Sequence, residues 1–252
     1  MSEQIIVGIH AVTSIIATSP QRIKVLWLQQ PTTSSRLHSI VEAAKANGIT
    51  IENQPRSYLD TIAKDLRHQG VIAKVTALPS YTENDLPAIL ATASEPLLLI
   101  LDGVQDPHNL GACLRTADAT GVTAVIAPKD RAVGITATVS KVACGAAETI
   151  PFIAVTNLAR TLKWLQQQGV WLHGTAEEEG QALYQTNLTG PIAWVFGGEE
   201  KGMRRLTREH CDVIVSIPMA GSVPSLNVSV ATAVCLYETL RQRQVKANPS
   251  SS

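Results

Sequence analysis

The chain has 252 residues, 45% of them hydrophobic, enough for one large domain or two modest ones that each bury a core. Its 21 Lys and Arg balance 21 Asp and Glu, which argues against a protein that coats nucleic acid by bulk charge. Two Phe, four Tyr and four Trp are too few to stack many bases. No apolar run has membrane-spanning length and no signal pattern opens the chain, so a cytoplasmic protein without a membrane partner is expected.

Residues 5–17 begin as an apolar run and continue at helical spacing through Val12, Ile15 and Ile16. Arg22 to Leu28 alternates as a strand does. Ser35 to Ala46 reads as a helix stopped by Asn47-Gly48. A short strand at Ile49–Glu52, a helix at Tyr58–Leu66 and a strand at Val71–Val75 complete a mixed α/β unit, residues 1–77. Residues 1–80 hold eight Lys/Arg against five Asp/Glu, a mild basic excess that the remainder balances. Pro79, Pro87 and Pro96 punctuate residues 78–95, which read as a linker with room for a short helix.

Leu97 to Leu101 is an unbroken apolar run, the mark of a strand buried on both faces. A loop to Asn109 follows, then a helix to about Ala119 with Gly121 just past its end. Strands are expected at Thr123–Ala127, Phe152–Val155, Val170–His173, Ile192–Phe196 and Val213–Ile217. Helices are expected at Ala137–Ala147, Asn157–Gln168, Met203–Glu209 and from about Ser225 to Gln242, the last with Val230, Val234 and Tyr237 on one face. Alternation of this kind implies a mainly parallel sheet covered on both sides, spanning residues 96–244. Residues 245–252 read as a disordered tail. Cys113, Cys144, Cys211 and Cys235 are far apart, with no C-x-x-C, and read as buried thiols. The six histidines show no H-x-x-x-H pair, so no metal is expected.

Three stretches hold chemistry-bearing residues at the ends of predicted strands. In Asn109-Leu-Gly-Ala-Cys-Leu-Arg115, the Asn and Arg are six apart and need not face the same way on one helix. On spacing alone, an Asn N-cap with a surface Arg is the better account. Phe196-Gly197-Gly198-Glu199-Glu200-Lys201-Gly202-Met203 ends a strand in glycines that let a ligand approach the backbone, or that simply make a tight turn. It matches neither the dinucleotide nor the P-loop glycine pattern. The third stretch, Ile217-Pro-Met-Ala-Gly-Ser-Val-Pro-Ser-Leu-Asn-Val228, is an apolar loop before a helix. It can line a pocket with free backbone groups, while Ser225 alone is explained as a helix cap.

Together and in this order, the three stretches resemble the motifs of the SpoU (TrmH-like) branch of the SPOUT RNA methyltransferases, over roughly Leu97 to Arg243. The N-terminal G-I-H-A-V and H-Q-G-V are similar to the L30e-like RNA-binding domain of the 23S rRNA guanosine 2′-O-methyltransferases. The resemblance implies an α/β fold: a trefoil-knotted, mainly parallel sheet of SPOUT type with a small N-terminal α/β L30e-like domain. It implies S-adenosyl-L-methionine as cofactor, held largely by backbone at Gly197, Ile217 and Leu226, with Thr175 added. It implies a homodimer whose Asn109 and Arg115 serve the partner's cofactor, and methylation of a guanosine 2′-hydroxyl in 23S rRNA. Arg115 then acts as base or orienting group. An arginine stays protonated at ordinary pH, which favours an electrostatic clamp, with Ser225 or a substrate phosphate helping with the proton. Asn109, Glu199 and Asn227 fix the geometry, and Glu199 can alternatively hold Arg115 as an ion pair. Arg204, Arg205 and Arg208, with Arg22, Lys24 and Arg67, are phosphate contacts or plain solubilising charges. Two positions depart from the pattern: Pro224 before Ser225, and Gly198, a flexible middle in the second motif. The competing readings are a tRNA 2′-O-methyltransferase and a non-catalytic RNA-binding assembly factor.

Overall fold

The computed structural model describes residues 3–31, 35–64, 66–77, 80–176, 180–199 and 202–247. The chain divides into two compact units, Met1–Pro79 and Ser80–Ser252.

The first unit runs β1 (Glu3–Val7), α1 (Ile9–Thr18), β2 (Ile23–Gln29), α2 (Ser35–Ala46), β3 (Ile51–Gln54), α3 (Arg56–Ala63) and β4 (Val71–Thr76). Its sheet has the order β1-β4-β2-β3, with β2 and β3 parallel and the other pairs antiparallel. The two-residue period of β4 sorts its side chains. Val71, Ala73 and Val75 face α1 and α2, while Ile72 joins Trp27, Leu59 and Ala63 on the α3 side. The two N-terminal motifs meet here as a structural joint. Gln69 accepts the Ile9 N–H through Oε1 at 3.1 Å, satisfying an otherwise unpaired amide at the start of α1. His68 Nδ1 accepts the Gly70 N–H at 3.0 Å, so its Nε2 carries the proton given to Asp60 at 2.9 Å.

In the second unit, residues expected to be a linker form a 3₁₀ turn and α4 (Leu86–Leu90), with Leu86 and Ile89 buried in the core. There follow β5 (Leu97–Asp102), α5 (Pro107–Ala119), β6 (Ala124–Pro128), α6 (Ala137–Ala143), α7 (Ala146–Thr149), β7 (Phe152–Val155), α8 (Leu158–Gln167), β8 (Trp171–Thr175), β9 (Gln181–Ala182), β10 (Ile192–Gly197), α9 (Arg205–Glu209), β11 (Val213–Ser216) and α10 (Val228–Ala247). The sheet order is β7-β6-β5-β10-β8-β11-β9, every pair parallel. Leu97, Leu99 and Leu101 pack under α5, α6, α7 and α10; Leu98 and Ile100 pack under α4 and α8. Burial on both faces explains the unbroken apolar run.

The α/β architecture with a mainly parallel sheet is as the sequence leads one to expect. β11 is the last strand of the chain, yet it lies between β8 and β9, which are consecutive in sequence. The chain thus returns into a stretch already laid down, as a trefoil crossing requires, against the usual avoidance of threaded connections.

Four local expectations need correction. α5 begins at Pro107, two residues before Asn109, because Asp106 caps it by accepting the His108 N–H at 2.9 Å. The helix expected over Ala137–Ala147 is split, because Cys144 (φ 52°) and Gly145 (φ 97°) turn left-handed. α10 begins at Val228 and not near Ser225; Asn227 Oδ1 accepts from the Ser229 N–H at 2.9 Å and sets its start. α10 also packs with a different face. Thr232, Cys235, Leu236 and Thr239 are buried and Val234 packs partly against the core, while Val230 and Tyr237 lie exposed. The buried threonines supply partners, Thr239 accepting from Trp194 Nε1 at 2.9 Å and Thr232 meeting Cys113 Sγ at 3.7 Å. Of the expected tail, Val245–Ala247 continue α10; residues 248–252 lie outside the described residues. Among the described residues no helix is long and apolar enough to cross a membrane.

Candidate active site

The carboxyl ends of β8, β10 and β11 open into one cavity of about 590 Å³, within the range of about 300–1,000 Å³ common for small-molecule sites. Strand register places these ends side by side: Gly197 faces Asp102 across β10 and β5, and Val215 faces Thr175 across β11 and β8. The four residues expected to hold the cofactor, Thr175, Gly197, Ile217 and Leu226, all line this cavity. Glu199, Ser225 and Asn227 line it too.

Asn109 links the first motif to the other two. Its amide donates to Glu199 Oε1 at 2.7 Å, and its Oδ1 accepts from Asn227 Nδ2 at 3.1 Å. Glu199 therefore holds Asn109, and the alternative ion pair between Glu199 and Arg115 is not formed. Arg115 lies apart from the cavity lining; NH1 meets Cys144 Sγ at 3.7 Å, and the side chain is exposed.

The third motif contributes backbone. Residues 218–226 make no hydrogen bond to another described residue. Main-chain donors and acceptors without protein partners must find a ligand or water. Met219, Ser225 and Leu226 of this stretch line the cavity. Its charged lining side chains among the described residues are Glu199 and Arg208. An apolar wall from Ile217, Leu226 and Phe196, a stretch without regular backbone pairing and one charge of each sign suit a zwitterionic nucleoside with an adenine face. The residues present therefore fit the cofactor that the resemblance implies.

Glycines in the second motif follow from close approach. A Cβ on Gly197 would sit 1.9 Å from Gly202 C and 2.0 Å from Met203 N. One on Gly198 would sit 2.6 Å from Gly103 O. Gly198 is thus a packing requirement and not the flexible middle expected. Glu200 and Lys201 of this motif lie outside the described residues.

Met203 and Met219, named only within quoted motifs, and Arg208, offered only as a phosphate contact or solubilising charge, also line the cavity. Met203 stood inside a quoted motif, but nothing in its spacing says that it faces a ligand. Of the basic residues offered as phosphate contacts, Arg204 pairs with buried Asp102, and Arg205 with Glu209 at 2.6 Å. Arg22 donates to Thr76 O, and Lys24 to Glu3.

The thiols divide by burial. Desolvation pushes the Cys113 and Cys211 thiols up to about 12, and raises Cys235 as well. Cys144 is exposed, against the expectation that all four are buried. Ellman's reagent should accordingly modify one thiol per native chain rapidly and four after denaturation. Cys144→Ser should remove the fast phase; a fast phase that persists would contradict this assignment.

Residues 96–237 match the family model described as "SpoU rRNA Methylase family", and residues 5–81 match "RNA 2'-O ribose methyltransferase substrate binding". The chain is 58% identical over 243 residues to the 23S rRNA (guanosine-2'-O-)-methyltransferase RlmB of Pectobacterium atrosepticum, covering 96% of this chain and 99% of that one. It is 54% identical over 243 residues to the protein of that name from Escherichia coli K12, covering 96% and 100%. In fold it is similar to the crystal structure of the SpoU methyltransferase AviRb from Streptomyces viridochromogenes in complex with AdoMet. The TM-score is 0.66 at 23% identity, over 96% of this chain and 91% of that one.

Proposed function

Because the chain belongs to the SpoU rRNA methylase family, we propose that it methylates the ribose 2′-hydroxyl of a guanosine in 23S rRNA. S-adenosyl-L-methionine is the methyl donor. The observation that carries this reading is the convergence of Thr175, Gly197, Ile217, Ser225, Leu226 and Asn227 on one cavity. The 2′-hydroxyl is what separates RNA from DNA, so an enzyme of this chemistry acts on RNA. Residues 5–81, matching a substrate-binding family, serve as the RNA-binding unit. The protein works in the cytoplasm and needs no metal.

Bound, the cofactor supplies a methyl group activated on a sulfonium. Gly197, Ile217 and Leu226 would hold the cofactor largely through main-chain groups, with Thr175 beside them. Asn109, Glu199 and Asn227 form one hydrogen-bonded unit that fixes the mouth of the cavity. Arg115 orients the attacking hydroxyl and its phosphate as an electrostatic clamp, because a guanidinium does not give up its proton. The substrate phosphate takes the hydroxyl proton, directly or through Ser225, which accepts it only as it passes its own hydroxyl proton on. Positioning does most of the work in such an in-line displacement.

Arg115 reaches the reaction from a second copy of the chain. Its absence from the lining of its own cavity supports this. So does the exposed apolar flank of α10, Val230, Tyr237 and Val245, which a homodimer would cover. Transfer of labelled methyl to unmodified 23S rRNA tests the activity. Transfer to tRNA alone would favour the tRNA reading, and cofactor binding without transfer to either would favour the assembly factor. Mixed dimers test the arrangement. A chain carrying Arg115→Ala paired with one carrying Gly197→Ala should recover about half the wild-type rate if Arg115 serves its partner. Recovery should be absent if it serves its own site.

A further inference from the structure

The buried carboxylate at the end of β5 takes no part in the site described above, yet it holds the loop that carries the second motif by both ends. Asp102 has a fully buried side chain. Its main-chain oxygen accepts from the Gly198 N–H at 3.0 Å, fixing the chain as it leaves β10. Its Oδ2 accepts from the Arg204 N–H at 3.0 Å, fixing the chain as it returns. Its Oδ1 accepts from Arg204 Nε at 2.6 Å and pairs with NH2. Between these anchors Gly202 N–H donates to Gly198 O at 3.0 Å. Gly197, Gly198, Glu199, Gly202 and Met203, all on this loop, line the cavity. Glu199 then carries the loop's position on to Asn109.

We infer that Asp102, through its paired contact with Arg204, is a positioning residue that pre-sets the glycine loop for S-adenosyl-L-methionine. This rests on the reading of the cavity as the site for that cofactor. The physical case is preorganisation. A loop with several glycines has many conformations available, and ordering it on binding subtracts from affinity. A buried carboxylate that accepts three charge-assisted or main-chain contacts removes that freedom beforehand. The arrangement also explains why a charge is tolerated at a fully buried position: its acceptors are met, whereas removing one partner leaves the other exposed to the cost of an unpaired buried group. Arg204 is thereby committed to the protein's own carboxylate, not to an RNA phosphate.

Asp102→Asn tests this with little change of shape. Asparagine keeps one acceptor oxygen and turns an NH2 group towards a donor, so one of the carboxylate's contacts to Arg204 opens while the main-chain anchor to Gly198 stays. Calorimetry of the full-length protein should show cofactor affinity reduced at least about tenfold. The rise in Tm on adding cofactor should shrink in parallel. Arg204→Lys keeps the main-chain N–H and one ammonium and should lose less than Arg204→Ala, a graded rescue that plain destabilisation does not produce. Leu165→Ala, in the core on the α8 side of the sheet, serves as control: it should lower Tm while leaving affinity within about twofold. Asp102→Asn binding within twofold of wild type would overturn the inference, as would an equal loss in Leu165→Ala. Failure of the wild type itself to bind the cofactor is a separate result, and would count against the reading of the cavity.

Discussion

Replacing Arg115 with alanine is expected to lower kcat by about 10²–10³-fold, the loss typical of removing one preorganised donor from a reacting oxygen. Cofactor affinity should change by less than about twofold, because Arg115 is assigned to the attacking hydroxyl and its phosphate and not to the groups that hold the cofactor. Arg115→Lys should restore only part of the rate. An ammonium supplies charge but not the planar fork that can hold a hydroxyl and a phosphate oxygen together. Single-turnover methyl transfer, with calorimetry of the cofactor on the same preparations, separates the two effects. Equal single-turnover rates for wild type and Arg115→Ala would remove Arg115 from the mechanism. A parallel loss of cofactor affinity would move it into the binding site.

Gly197→Ala should have the largest effect on cofactor binding. The new Cβ would stand 1.9 Å from Gly202 C, 2.0 Å from Met203 N and 2.4 Å from Gly202 O. All three are main-chain atoms, so no side chain can swing away. The return limb of the loop must move, and Gly202 and Met203 line the cavity. Overpacking of this kind costs about 1–3 kcal/mol, and more where the neighbours cannot yield. Most of that falls on the bound state if the loop can relax when empty, so affinity should drop about 30–100-fold. Gly134→Ala is the matched control: nothing lies within 4 Å of its added Cβ, and affinity and Tm should both stay near wild type. If Gly197→Ala binds cofactor normally, the second motif does not hold it by its backbone. The pair of variants tests binding and chemistry apart, since Arg115→Ala should spare what Gly197→Ala destroys.

Much of the framework was legible in the residues. Leu97–Leu101 announced a strand buried on both faces, and it is one. Gly121 and Gly169, at φ 70° and 80°, end α5 and α8 where the sequence placed those stops. The cavity residues were legible only as a set: Gly197, Ile217 and Leu226 are each ordinary in isolation, and become a site because three motifs occur in order. Helix starts were read less well. Pro107 and Asp106 supplied the cap that was looked for at Asn109, and Asn227 the one looked for at Ser225. In both cases a second capping residue stood within a few positions, and local preference alone does not choose between neighbours of similar capping strength.

The chain by itself determined the alternation of strands and helices and the burial of its central strands, because these depend on side-chain periodicity and local backbone preference; that three stretches meet at one site was legible only through their resemblance to the SpoU motifs. It did not determine which face of α10 is buried, that Asn109 bonds Glu199 and Asn227, or that Asp102 closes the glycine loop with Arg204. Those contacts join residues 90 to 118 positions apart. The two with Glu199 and Arg204 arise when β10 pairs with β5, and the one with Asn227 only when β11 enters between β8 and β9 ahead of the final helix. Contacts of that range reflect where elements are placed, and a residue's neighbours in sequence contain no information about which distant carboxylate or amide the fold will bring beside it.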